Sequence, residues 1–184
     1  MIGAVLAGGG RRGASGSAPG ALLGGRPLIS YPVAALGDVC DRIAVVCKEH
    51  TTLPSLPGTE RWNEPAEPRH PLTGIIHALE RAAAPVLVSA ADMPFITADA
   101  CRTLMHAATS GPAVVATAEA VLQPTFGLYT PAALERMRVA PDDAPLTETV
   151  ESLDPVRVAL PPGLVLSVET ADQLADAEAV LAQR

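Results

Sequence analysis

Met1-Ile2-Gly3-Ala4-Val5-Leu6-Ala7-Gly8-Gly9-Gly10-Arg11-Arg12-Gly13 opens the chain. The apolar run Ile2 to Ala7 passes straight into a glycine-rich stretch that continues to Gly25. A short apolar run bounded by glycines reads as a buried β-strand followed by a flexible loop. No basic residues precede the run, so it does not read as a signal peptide. Glycines at such a strand end let the backbone approach a ligand closely, and consecutive N–H groups can cradle phosphate oxygens. Arg11 and Arg12 can add charge-assisted bonds to those oxygens. No Gly-Lys-Ser/Thr follows, so the loop is not a P-loop, and it is not the dinucleotide fingerprint either.

Outward from this strand the pattern is α/β. Pro27 to Leu36 reads as a helix with Pro27 in its first turn. Arg42 to Cys47 reads as a second strand, and the Pro-rich segment after it leaves room for a short strand around Glu60 to Trp62. Leu72, Ile75, Ile76 and Leu79 recur at helical spacing, which predicts a helix over Pro71 to Ala83. Pro85 to Ala90 is the clearest central strand, and Thr97 caps a helix running to about Ala108. Further strands are expected at Ala113 to Thr117, Gln123 to Tyr129, Val156 to Leu160 and Leu164 to Val168. Pro131 to Met137 and Leu146 to Leu153 look helical. Thr170 and Gln173 have capping-box spacing before the stripe Leu174, Ala177 and Leu181, so a helix closes the sequence.

The chain has 184 residues, a net charge of −7 and 48% hydrophobic content. That length fits one domain, 1–184, with an ordinary core. The acidic balance argues against a nucleic-acid surface or a basic membrane patch, and no apolar run is long enough to span a bilayer. Cys40, Cys47 and Cys101 are odd in number and widely spaced, which suits reduced thiols in the cytoplasm and excludes a disulfide framework. Of thirteen basic residues only Lys48 is a lysine.

Three further positions carry chemistry. Asp92 follows the Pro85 to Ala90 strand directly, at the strand end where open α/β sheets bind ligands. Glu169 precedes the last capped helix; if Leu164 to Val168 lies beside the Pro85 strand, the two carboxylates converge. They would then hold one Mg²⁺, a hard cation that takes one or two carboxylates plus substrate phosphates. The bland alternatives are a turn-capping Asp and a favourable charge at a helix N-terminus. Arg69-His70-Pro71-Leu72-Thr73-Gly74 opens the Pro71 to Ala83 helix, with free amides expected to face a ligand. His70 and His77 have no credible catalytic partner.

Six blocks in order resemble the molybdenum cofactor guanylyltransferases. They are Leu6 to Gly9, Gly24 to Leu28, His70 to Gly74, Ala91 to Phe95, Gln123 to Tyr129, and Val168 to Leu174. The resemblance implies a three-layer α/β/α Rossmann-like nucleotidyltransferase fold with a mostly parallel central sheet. It implies GMP transfer from GTP to molybdopterin, with Mg²⁺ as cofactor and pyrophosphate released. Carried over by position, Leu6, Ala7, Gly8, Gly9, Gly10 and Arg11 would contact the nucleotide. Asn63 stands where the family has an Asp near the base, and Pro71, Leu72 and Gly74 would border the guanine. Arg12 and Asp92 would be catalytic, with Asp92 and Glu169 as metal ligands. GTP and molybdopterin are the implied small-molecule partners, with transient contact to other molybdenum cofactor proteins, and the implied compartment is the cytoplasm.

The sequence departs from the family at two places. The loop lysine falls on Ala18, and the late Asn-x-Asn-Thr is Ser167-Val168-Glu169-Thr170. Arg12 supplies the loop arginine only with a one-residue slip. Positive charge on the phosphates is a main source of rate in such transfers, and one lost donor costs roughly 10²- to 10³-fold. Two alternatives therefore stand beside guanylyl transfer to molybdopterin. One is an impaired paralogue that binds a nucleotide or a partner without turnover. The other is a related transferase with another acceptor, by cytidylyl transfer to molybdopterin or guanylyl transfer to phospholactate.

Overall fold

The computed structural model describes residues 1–8, 20–108, 110–141 and 144–183. In chain order the elements are β1 (Ile2–Leu6), β2 (Leu22–Leu23), β3 (Arg26–Pro27), α1 (Ser30–Gly37), β4 (Arg42–Cys47) and β5 (Thr59–Asn63). Then come α2 (Pro71–Ala82), β6 (Val86–Ala90), α3 (Ala98–His106), β7 (Ala113–Ala118) and β8 (Val121–Tyr129). After these follow α4 (Leu134–Arg138), α5 (Leu146–Glu151), β9 (Val156–Ala159) and α6 (Ala171–Leu181). Seven strands form one sheet in the order β5-β4-β1-β6-β8-β7-β9. Only β8 runs against its neighbours, so the sheet is mostly parallel. The chain has an α/β fold built on this sheet.

Strand residues alternate between the two faces of this sheet. Val5, Val45, Leu87, Val114 and Phe126 pack with Leu36 of α1 and Cys101 and Leu104 of α3. Their neighbours Ala4, Ala44, Val46, Val86, Val88 and Val115 pack on the opposite face with Leu72, Ile75 and Leu79 of α2, Met137 and Val150. A helix layer thus covers each face. A third cluster joins Leu23, Leu28, Phe95, Val168 and Ala177, so α6 rests on the β2–β3 hairpin and the turn after β6. Cys47 and Cys101 are buried and Cys40 half-buried, all as free thiols. Burial pushes Cys40 to about 11 and Cys101 to about 12. Among the described residues no helix is long and apolar enough to cross a membrane.

The structure corrects the sequence reading at two segments. The first helix begins at Ser30, and Pro27 lies in β3, paired with Leu22 across a two-residue turn. Gly24 and Gly25 have φ of 54° and 78°, the left-handed values that a tight hairpin turn demands and glycine supplies without strain. A Cβ at Gly24 would also come within 2.5 Å of Leu181 Cδ2. The second correction concerns Leu164 to Val168, which is no strand. Pro162–Leu164 forms a 3-10 turn, and irregular chain follows. The physical reason is that β6 already has β1 on one side and β8 on the other. A segment beside β6 has no free edge to join, so it crosses the strand end instead, where Val168 N–H donates to Asp92 C=O at 2.8 Å.

Candidate functional site

The carboxyl ends of β1, β4, β5 and β6 lie side by side, and hydrogen bonds continue past each strand. Ala7 N–H donates to Val46 C=O at 2.8 Å, Ala91 N–H to Leu6 C=O at 3.0 Å and Glu64 N–H to Cys47 C=O at 3.0 Å. These bonds fix Gly8, Lys48, Glu64 and Asp92 along one rim. The chain leaves β1 toward β4 but leaves β6 toward β8 and β7. The connections part between β1 and β6, and that divergence opens the crevice used for ligands in this class of sheet.

Sequence reasoning missed Glu64. Asn63 ends β5 with its side chain exposed, and its Oδ1 accepts from Arg61 Nε at 2.9 Å. The buried carboxylate is Glu64, with its side chain only 4% exposed. Two glycines make room for it. A Cβ at Gly8 would come within 1.8 Å of Glu64 Oε1, and one at Gly74 within 3.1 Å of Oε2. Lys48 Nζ stands 3.3 Å from Oε1, while Oε2 is buried with no partner. Burial pushes the Glu64 carboxyl up, opposed by the Lys48 charge. The signal was present in the period of two: Trp62 points inward from β5, so Glu64, two residues on, takes the same face.

Lys48 is likewise buried and sits just after β4. Arg61 fastens the chain after Lys48 by donating to the carbonyls of Lys48, Glu49 and Thr51. Lys48, Glu64, Asn63, Arg69 and His77 line a cleft of about 590 Å³.

The start of α2 borders this cleft through Gly74, whose Cβ position faces Glu64 and Leu6. Its first amides are not free. His70 is the N-cap, its Nδ1 accepts from Leu72 N–H at 3.3 Å, and Thr73 N–H donates to His70 C=O at 3.0 Å. Pro71 has no N–H to offer. The expectation of a free anion-binding helix start is therefore not met, and the cap His70 gives that residue a structural role.

At the other end of the rim, Asp92 Oδ1 is buried without a partner. Burial, and then the charge of Glu169, raise the Asp92 carboxyl to about 6. The two carboxylates are thus close enough to repel, although no strand brings them together. Thr170 caps α6 in a full capping box with Gln173, which fixes the residue after Glu169. No cluster of three or more acidic, His or Cys side chains fit for a metal occurs among the described residues. The donor set nonetheless fits a hard cation: one orphaned carboxylate oxygen and a second carboxylate nearby, with substrate oxygens to complete the shell. Gly9, Gly10, Arg11 and Arg12 lie outside the described residues.

The family model for the MobA-like NTP transferase domain matches residues 3–156. The chain belongs to this family. Its nucleotidyltransferase fold is shared with solved structures at low identity. Molybdopterin-guanine dinucleotide biosynthesis protein A from Archaeoglobus fulgidus is 21% identical over 100% of both chains, with a TM-score of 0.76. The 2-C-methyl-D-erythritol 4-phosphate cytidylyltransferase from Thermus thermophilus is 19% identical over 97% of this chain and 98% of that one, with a TM-score of 0.68. A Mycobacterium tuberculosis protein in complex with manganese is 14% identical over 97% of each chain, with a TM-score of 0.74. No curated protein matches the sequence.

Proposed function

We propose that this MobA-like NTP transferase moves GMP from GTP to molybdopterin and releases pyrophosphate, with Mg²⁺ as its cofactor. The observation that carries the reading is the Glu64 carboxylate, buried against Gly8 and Gly74 with Oε2 unpartnered. An ionised carboxylate is acceptor-only. The Watson–Crick edge of guanine presents two adjacent donors, N1–H and the 2-amino group, and matches it. Cytosine presents one donor beside two acceptors, and its ring nitrogen would face a carboxylate oxygen. The base site therefore favours guanylyl over cytidylyl transfer, and Glu64 takes the base-reading role expected of Asn63. Leu6, Ala7, Pro71, Leu72 and Gly74 form the apolar border of that site.

At the far end of the rim, Asp92 and Glu169 would hold Mg²⁺. The bound metal would neutralise charge on the phosphate oxygens. The Gly8 to Arg12 loop would hold the triphosphate, with Arg12 adding positive charge there. A phosphate oxygen of the acceptor then attacks the α-phosphorus, and the bond to the β-phosphate bridging oxygen breaks. No protein nucleophile is required. The archaeal relative is named for molybdopterin-guanine dinucleotide biosynthesis and a mycobacterial one was solved with manganese. Both names agree with this reading.

Calorimetric titration of GTP, CTP and ATP with and without Mg²⁺, followed by an assay of pyrophosphate release with molybdopterin, tests the proposal. Metal-dependent GTP binding with turnover supports it. Metal-dependent GTP binding without turnover would instead favour a nucleotide-binding paralogue, consistent with Ala18 at the loop-lysine position. Absence of GTP binding would overturn both readings.

A further inference from the structure

Among the described residues, Lys48 is the one buried cation, and it is also the chain's single lysine. Its ammonium lies 3.3 Å from Glu64 Oε1 and donates to Pro65 C=O at 2.6 Å and Pro68 C=O at 3.2 Å. An ammonium has three donors and no acceptor, so these three oxygens fill its capacity. No donor remains for a triphosphate. Lys48 therefore does not replace the family lysine that Ala18 lacks, and its place in the site needs another account.

We propose that Lys48 is a positioning residue that sets base selectivity, by holding Glu64 ionised and in one orientation so that the site selects guanine over adenine. This rests on Glu64 reading the base. Each carboxylate oxygen has two lone-pair positions. Oε1 is paired with Lys48, and Oε2 is buried with no hydrogen-bond partner, so its lone pairs are unused. A neutral Glu64 would present one O–H donor beside one acceptor. That pattern matches adenine, which offers an acceptor at N1 beside the donor 6-amino group. Burial favours the neutral form, so the nearby ammonium decides which base edge the site fits. The same ammonium ties the two carbonyls of the 65–68 segment to the carboxylate it orients.

Other charged and titratable groups near Glu64 are Cys47 at the end of β4, Glu49 and His50 after it, Arg69 in the loop before α2, and His77 on α2. Burial holds His77 below its ordinary value. All of these remain in a Lys48 variant, so a comparison with the unaltered protein isolates the ammonium.

The experiment measures GTP and ATP affinities by calorimetry with Mg²⁺ across a pH series. It uses the full chain, Lys48→Met, Lys48→Arg, Glu64→Gln and the double variant. Both nucleotides carry the same triphosphate, so their affinity ratio removes effects at Asp92. Lys48→Met is expected to lower the GTP:ATP ratio roughly 10- to 100-fold at the low-pH end of the series. The ratio should recover as rising pH ionises Glu64, and Lys48→Arg should retain most of it. Glu64→Gln should lower the ratio with no recovery. A folded Lys48→Met protein that keeps its ratio, or loses it equally at every pH, overturns the proposal.

Removing one partner of a buried ion pair can unfold a protein. The double variant Lys48→Met/Glu64→Gln leaves no uncompensated charge, and there the ratio should equal that of Glu64→Gln alone. A further loss would show Lys48 acting independently of Glu64 and overturn the proposal. An unaltered protein without GTP preference, or a Glu64→Gln variant that keeps it, would instead remove the base-reading role on which the inference rests.

Discussion

A buried carboxylate, Glu64, and a half-buried one, Asp92, stand on one rim of the same sheet, and they have opposite neighbours. Glu64 faces an ammonium, and one of its oxygens is already compensated. Asp92 has its carboxyl raised further by the charge of another carboxylate, Glu169, and has an orphaned oxygen and no cation lowering its carboxyl among the described residues. The first site is therefore complete as a charge and can offer lone pairs to a neutral donor such as a base. The second is incomplete as a charge and fits a cation. Charge balance separates the base end of the site from the metal and phosphate end.

The largest expected effect breaks the metal end. Asp92→Ala should abolish metal-dependent GTP binding, a loss of at least about 100-fold in the Mg²⁺-dependent part of the affinity. Calorimetry with and without Mg²⁺ checks this, and unchanged affinity would reduce Asp92 to a turn residue. Next, Ala18→Lys should raise turnover by roughly 10- to 100-fold if positive charge at that loop position is what the sequence lacks. Pyrophosphate release measures it, and an unchanged rate would count against the alignment of the loop.

Reading the chain from sequence succeeded where local chemistry decides the structure. The strands β1 and β6 announce themselves because short apolar runs are cut off by Gly, Pro or Asp, and β4 because its run lies between Arg42 and Lys48. The last helix is legible because Thr170 and Gln173 close a capping box on themselves. Leu164 to Val168 reads as a strand because its apolar run is a property of the segment, whereas a strand also needs a vacant sheet edge. Proline at 27 was assigned to a helix start because the Gly24-Gly25 turn that places it in a hairpin depends on backbone angles rather than periodicity. The Lys48–Glu64 pair was hardest to see. Its members are sixteen residues apart and meet only through the β4–β5 register, which sets Cys47 opposite Asn63.

Proton titration sharpens the comparison from the metal end. Asp92 ionises at about 6 in the folded protein, well above the ordinary carboxylate range near 4 in an unfolded chain. Between those values the folded state binds more protons. The Asp92 contribution to metal-free stability therefore falls as pH rises from about 4 to about 6. Mg²⁺ should offset that loss, because it binds the ionised form. Thermal melts across this range with and without Mg²⁺ read both effects, and an Asp92→Asn protein should lack the Asp92 component. Metal-dependent GTP affinity should correspondingly weaken below about pH 6.

The smallest expected effect separates the two acidic residues. Glu169→Gln removes the like charge that is the second cause of the raised Asp92 carboxyl, so the Asp92 transition should move to lower pH. Burial, the first cause, remains, so the midpoint should stay above the ordinary carboxylate range. A pH-dependent melt series of this variant measures the shift, and an unmoved midpoint would mean that the two carboxylates do not share a site.

In the proposed function, Glu64 and Asp92 serve one bound guanosine triphosphate from opposite ends. Measuring GTP and ATP affinity in Glu64→Gln, each with and without Mg²⁺, tests it most directly. In that variant GTP preference should fall roughly 10- to 100-fold while the Mg²⁺ dependence of binding persists. Undiminished preference for GTP in that variant would contradict it.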